Sequence, residues 1–168
     1  LPLPNANPWN SWLRTAGLDF FSDGRLAVCS FTGDVWIVSG VDGKLERLEW
    51  KRFATGLYEP LGLRIVDDIV YLTCRDGIIR LHDLNKDGEA DFYESFYDDT
   101  DVTTTYHAFN FDLQTDSGGN FYYAKTGRFT DYELPGSVIK VSPDGSRDEV
   151  MCTGLRVPNG MGAGPGDN

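Results

Sequence analysis

Ser22-Asp23-Gly24-Arg25-Leu26-Ala27-Val28 reads as a tight turn followed by an alternating strand. Val66-Asp67-Asp68-Ile69-Val70-Tyr71-Leu72 repeats that shape, and Ser117-Gly118-Gly119-Asn120-Phe121-Tyr122-Tyr123 repeats it again. A recurrence at about 45–50 residues belongs to repeat architectures. Gly164-Pro165-Gly166-Asp167 reads as the turn of a fourth copy. Each copy carries matching flanks. A short apolar strand precedes the turn at 17–21, 62–65 and 109–113, and a third strand follows at 34–38, 77–81 and 137–141. A fourth, outer strand fits 46–50, 90–94 and 149–152.

Four short strands per unit, rich in Val, Ile, Tyr and Phe and split by Asp-Gly turns, are the signature of a β-propeller blade. No segment shows sustained helical periodicity. The expected fold is therefore all-β, part of a β-propeller with about three four-stranded blades and the start of a fourth. The repeats fall at roughly 14–58, 59–105, 106–155 and 156–168, the last incomplete, within one domain over 1–168. Propellers close with about 4–8 blades, so these residues read as an N-terminal portion that packs against the rest of its own propeller. A stand-alone sandwich of similar strands is the alternative. A start at Leu1-Pro2-Leu3-Pro4, with neither Met nor a signal peptide, reads as processed or excised.

Composition excludes several functions. The chain has 15 Lys+Arg against 26 Asp+Glu, a formal charge of −11. Phosphate neutralisation needs clustered cations, so neither nucleic acid nor an anionic membrane surface is an expected partner. No apolar run approaches the ~18 residues of a membrane span. The acidic balance suits a secreted or periplasmic protein kept soluble by like-charge repulsion. Cys29, Cys74 and Cys152 have no Cys-x-x-Cys spacing and sit in or beside apolar stretches, so they read as buried small hydrophobes. A disulfide between two of them is the other option.

The sharpest local motif is Asp83-Leu84-Asn85-Lys86-Asp87-Gly88-Glu89-Ala90-Asp91, continuing to Glu94. Oxygen donors at positions 1, 3, 5, 9 and 12 of the loop, with Gly at 6, match the EF-hand ligand pattern. Ca²⁺ takes 6–8 oxygens, and alternate side chains of a tight acidic loop converge on one point. Asp83, Asn85, Asp87, Asp91 and Glu94 are the candidate side-chain ligands, with Glu89 supplying its backbone carbonyl. The flanks are strands, which puts Glu94 at the limit of reach. A self-bonded acidic turn competes with calcium, and in either case the role is structural.

Of the two histidines, His82 beside the acidic loop reads as structural. His107 stands just before the innermost strand of the third copy, where residues face the axial funnel of a propeller. It is the candidate general base, against the alternative of a structural histidine. Arg156 and Asn159, in Gly154-Leu155-Arg156-Val157-Pro158-Asn159-Gly160, are a fixed cation and an amide suited to an anionic or carbonyl-rich ligand. A carboxylate partner for Arg156 is the competing reading. Tyr58-Glu59-Pro60-Leu61-Gly62 takes the equivalent place in the second blade, and Asp98-Asp99-Thr100-Asp101 reads as a solvated loop.

Together, GLDFFSDGRLAVCSFTGDVWIVSG (17–40), LHDLNKDGEADFYE (81–94), FNFDLQTDSGGNFYYAK (109–125) and GLRVPNGMGAGP (154–165) resemble the propeller domain of large secreted bacterial proteins related to the glucose/sorbosone dehydrogenases. The resemblance implies a six-bladed propeller, often fused to a c-type cytochrome domain, with haem confined to that separate domain. It implies oxidation of a sugar or alcohol with pyrroloquinoline quinone (PQQ) and use of Ca²⁺. His107 matches the placing of a catalytic His before an inner strand, although the family's Gly-Arg-Leu strand is absent. Arg156 matches the Arg of an Arg-Asn-Pro-Gln-Gly quinone motif, whereas Val157 replaces its Asn and Asn159 its Gln. Two functions follow: a dehydrogenase passing electrons to a cytochrome partner, or a non-catalytic carbohydrate- or protein-binding propeller within a larger c-type cytochrome protein.

Overall fold

The computed structural model describes residues 1–127 and 133–164. Twelve β-strands are found among the described residues, in three antiparallel four-stranded sheets. Blade 1 holds β1 (Thr15–Phe20), β2 (Leu26–Ser30), β3 (Val35–Ser39) and β4 (Glu49–Ala54). Blade 2 holds β5 (Gly62–Val66), β6 (Ile69–Cys74), β7 (Gly77–His82) and β8 (Phe92–Asp98). Blade 3 holds β9 (Asn110–Thr115), β10 (Phe121–Lys125), β11 (Val138–Val141) and β12 (Asp148–Cys152). Strands neighbour in chain order within each sheet, the meander that the repeated turns predict. Pro165-Gly166-Asp167 of the expected fourth turn lies outside the described residues.

β1 packs against β5, and β5 against β9, so the first strand of each blade forms the inner edge of a fan. Two glycines set how closely those strands approach. A Cβ on Gly17 would collide with the Leu63 backbone nitrogen, and one on Gly62 with the Asp112 carbonyl. Between blades 1 and 2 lies one apolar core, built from Ala27, Cys29, Val35, Ile37, Leu63 and Leu72. Between blades 2 and 3 lies another, of Tyr71, Ile78, Leu113, Phe121, Tyr123 and Ile139. Middle strands are buried on both faces, which explains their nearly continuous Val/Ile content; β12 is exposed throughout. Each fully buried aliphatic side chain contributes about 1.5–3 kcal/mol.

In blades 1 and 2 the outer strands start later than their sequence windows, and in blade 3 β12 starts one residue earlier. In blade 1 the Asp42 carboxylate accepts from the amides of Lys44 and Leu45, both at 2.9 Å, and Leu45 adopts φ 57°. That turn delays β4 to Glu49. In blade 2 Asp91 belongs to the acidic loop, and β8 begins at Phe92. Cys29 and Cys74 are buried and unpaired, as expected of small hydrophobes, and burial pushes the Cys29 thiol up to about 12. Cys152 departs from that expectation: it is free and exposed on the outer strand.

Candidate functional site

Antiparallel order sorts the loops onto two rims. The start of the first strand, the turn between the second and third, and the end of the fourth share one end of a blade. His107, the Arg75 turn and Arg156 therefore lie on one rim. The Asp83 loop, which links β7 to β8, lies on the opposite rim.

On the first rim, residues 99–109 carry His107 into β9. The imidazole is exposed and meets Tyr106 edge-on, with ring centroids 4.6 Å apart. The loop beneath it is clamped by three buried groups. Lys125, at the end of β10, reaches the Asp99 carboxylate at 2.8 and 2.9 Å and the Asp101 carbonyl at 2.7 Å. Tyr123 donates to the same Asp99 carboxylate at 2.7 Å. Asp101 accepts from the Glu133 and Leu134 amides; although burial opposes it, these donors and Lys125 hold its carboxyl below the usual range. Thr126 follows, with its hydroxyl at 3.2 Å from the Phe109 amide and 3.1 Å from its carbonyl.

Arg75 is the third clamp. Its side chain is buried, and one guanidinium nitrogen donates to Glu59 at 2.8 Å while the other donates to the Thr105 carbonyl. The guanidinium also lies 5.4 Å from the Phe109 ring centroid and 5.6 Å from that of Tyr58. Glu59 adopts φ 51°, an uncommon left-handed conformation for a side chain of this length. Nearby, Arg14 stands over the rings of Trp12 and Phe31, and Phe31 meets Phe109 edge-on at 5.6 Å.

Arg156 and Asn159 are exposed on the same rim. The backbone around Arg156 is fixed: Gly127 donates to its carbonyl at 2.7 Å, and the Leu155 amide donates to Gly136 at 3.0 Å. Among the described residues Arg156 forms no salt bridge, so the expected carboxylate partner is not found. Two residues that sequence reasoning passed over are Arg75 and Lys125. Asp99 corrects the solvated-loop expectation, since it is buried against Lys125. The signal available in the sequence was the single Lys inside an otherwise apolar strand, Phe121-Tyr122-Tyr123-Ala124-Lys125.

On the opposite rim the acidic loop closes on itself. Asp83 accepts from the Asp87 amide at 3.2 Å and the Gly88 amide at 2.8 Å, and Asp91 accepts from Leu84 at 2.7 Å. The Asn85 amide nitrogen sits between Asp87 and Asp91, at 3.1 and 3.2 Å. Lys51, from β4, donates to the Asp87 carbonyl and lies 3.9 Å from the Glu89 carboxylate. Glu94 is engaged elsewhere: Arg80 binds it through two nitrogens at 2.6 and 2.8 Å, and His82 binds it at 2.6 Å. The Arg80 hydrogen bonds, followed by that of His82, bring the Glu94 carboxyl down to about 2. Glu94 therefore sits in a salt-bridge cluster on β8 rather than at the twelfth position of a cage. Among the described residues no three acidic, His or Cys side chains converge on a metal position.

No family profile matches the chain, and no curated protein matches it. Solved structures do. An oxidoreductase from Thermus thermophilus, described as a glucose dehydrogenase, aligns over 92% of this chain and 56% of its own, with TM-score 0.67 and 20% identity. The PQQ domain of pyranose dehydrogenase from Coprinopsis cinerea aligns over 86% of this chain and 40% of its own, with TM-score 0.66 and 12% identity. A carbohydrate-active enzyme of family AA12 from Trichoderma reesei aligns over 77% and 36%, with TM-score 0.60 and 13% identity. The chain thus spans about half or less of the length of these proteins. Its three sheets share the β-propeller fold with these proteins.

Proposed function

We propose that this chain is part of a quinone-dependent sugar or alcohol dehydrogenase propeller, with His107 as the general base. The observation that carries the reading is the first rim. There an exposed imidazole stands on a clamped loop at the start of an inner strand, on the same rim as exposed guanidiniums and aromatic faces. That chemistry fits a planar, anionic aromatic group such as PQQ: Arg14 and Arg156 offer positive charge, Asn159 an amide, and Phe31 a ring face. When bound, PQQ supplies the acceptor for the hydride released from the substrate carbon. His107 takes the hydroxyl proton, and the clamps keep its ring from drifting out of reach. Arg156 and Asn159 orient the ligand edge that faces them.

The same reading places the protein in the periplasm or outside the cell, with a cytochrome c domain or protein as electron acceptor. No described helix is long and apolar enough to cross a membrane. Ca²⁺ at the Asp83 loop belongs to this proposal as a structural ion. Asp83, Asn85, Asp87 and Asp91 are oxygen donors of the kind Ca²⁺ takes, and the ion would have to displace the Lys51 ammonium and the Asn85 amide nitrogen that hold the loop. The loop lies on the far rim from His107, so the ion has no part in proton transfer.

Two observations favour the second reading, a binding module without catalysis. Glu59 neutralises Arg75, a buried cation of the rim, and Val157 stands where the resembling family has an Asn. Calorimetric titration with PQQ in the presence of Ca²⁺, followed by dye reduction with sugars, separates the two. Binding that weakens in Arg156→Ala and turnover that vanishes in His107→Ala support the dehydrogenase. No heat and no turnover leave the binding module.

A further inference from the structure

We propose that Arg75 is the positioning residue for His107, acting across the interface between blades 2 and 3. Arg75 sits in the turn between β6 and β7, yet its guanidinium donates to Thr105, two residues before His107 in the next blade. The Ala108 amide, on the other side of the imidazole, donates to that same Thr105 carbonyl at 3.1 Å. One carbonyl oxygen thus ties both flanks of His107 to one buried guanidinium. Asn110 strengthens the link in the reverse direction, donating its side-chain amide to the Cys74 and Arg75 carbonyls at 3.2 Å each.

The planar fork explains why the residue is Arg. Glu59 and Thr105 are engaged by two different terminal nitrogens, while the guanidinium lies over the rings of Tyr58 and Phe109. A Lys ammonium carries its donors on one nitrogen, so it lacks the two separate terminal nitrogens with which the fork reaches Glu59 and Thr105. The pair with the half-buried Glu59 orients the fork and keeps the buried cation from costing an unpaired charge. The inference deepens the dehydrogenase reading and rests on it only for its consequence in turnover; the positioning itself is a property of the loop.

The chain has two histidines, so its imidazole NMR spectrum contains one signal from each rim. The test compares Arg75→Gln and Arg75→Lys with wild type in the full chain, reading both imidazole signals and the amide exchange of Ala108. The expected result is a displaced His107 signal and about tenfold faster Ala108 exchange, while His82 and the Leu72 amide stay fixed. Arg75→Lys guards against misfolding of the Gln variant and is expected to show the same pattern at smaller amplitude. An unchanged His107 signal, or parallel changes at His82 and Leu72, overturns the proposal. Dye reduction then distinguishes the two ideas. With turnover in wild type, Arg75→Gln lowers kcat more than it raises KM; without it, the NMR response still establishes positioning while the dehydrogenase reading falls.

Discussion

The loops at 83–91 and 99–109 are both acidic, both join strands of the same fan, and are held by opposite means. The first is closed chiefly by hydrogen bonds among its own residues, from Gly88 to Asp83 and from Leu84 to Asp91, with Lys51 of blade 1 added at its edge. The second is held by Lys125, Thr126 and Arg75, which lie far away in sequence and on other strands and turns. Local closure makes a staple that forms wherever its residues occur together. Remote clamping makes a loop whose shape depends on two blades already being packed. A side chain placed on the second kind of loop inherits the precision of the whole fan, which suits His107 to a positional role.

The contrast is broken most severely at Lys125. Lys125→Ala leaves Asp99 and Asp101 without their cation in the interior, and equilibrium unfolding is expected to show a loss of about 3–5 kcal/mol. An equal loss from Asp83→Ala, which removes only local bonds and is expected to cost about 1 kcal/mol, removes the distinction.

The inner strands carry the same lesson. Leu18, Leu63 and Leu113 occupy one repeat position, yet Leu63 is 3% exposed, Leu113 0% and Leu18 55%. Blade 1 covers Leu63 and blade 2 covers Leu113, whereas no described residue buries Leu18. Leu113→Ala is expected to cost about 2–5 kcal/mol and Leu18→Ala below about 0.5, by denaturant unfolding.

Calcium sharpens the comparison from the other side. An ion held by the Asp83 loop and not by the unfolded chain stabilises by about 2.7 kcal/mol at a hundredfold excess over Kd. Scanning calorimetry is expected to show a Tm that rises with added Ca²⁺ and falls with chelator, an effect absent in Asp87→Ala. A flat response over the millimolar range reduces the loop to a turn closed by its own amides and Lys51.

The smallest effect is at Glu94. Its carboxyl lies near 2 in the folded protein against an ordinary 4.5, so its contribution is full above about pH 4.5 and fades as pH falls towards 2. The cluster is partly solvated, so the contribution is below about 1 kcal/mol. Glu94→Gln is expected to flatten that part of the acid-stability curve without changing stability differences between pH 6 and 8.

The periodic features were legible. Asp-Gly turns and Val/Ile runs fix twelve short strands and their meander, because turn chemistry and alternation act within a few residues. The acidic loop was legible for the same reason, since its Asp83 and Asp91 bonds span only a few positions. His107 and Arg156 could be placed on one rim once the strand order was known.

Three things belonged to tertiary structure. Glu94 looks like a twelfth-position ligand in one dimension, but strand pairing sets Arg80 directly opposite it on β7. Asp99 looks like part of a solvated run, but blade packing brings Lys125 beneath it. Arg75 looks like an ordinary turn residue, but the turn of blade 2 opens onto the loop entering blade 3. Sequence determines what depends on neighbours along the chain: strands, turns and the self-closed loop. Contact between blades decides which charges are buried and which imidazole is held still, because those energies exist only when residues distant in sequence exclude water together.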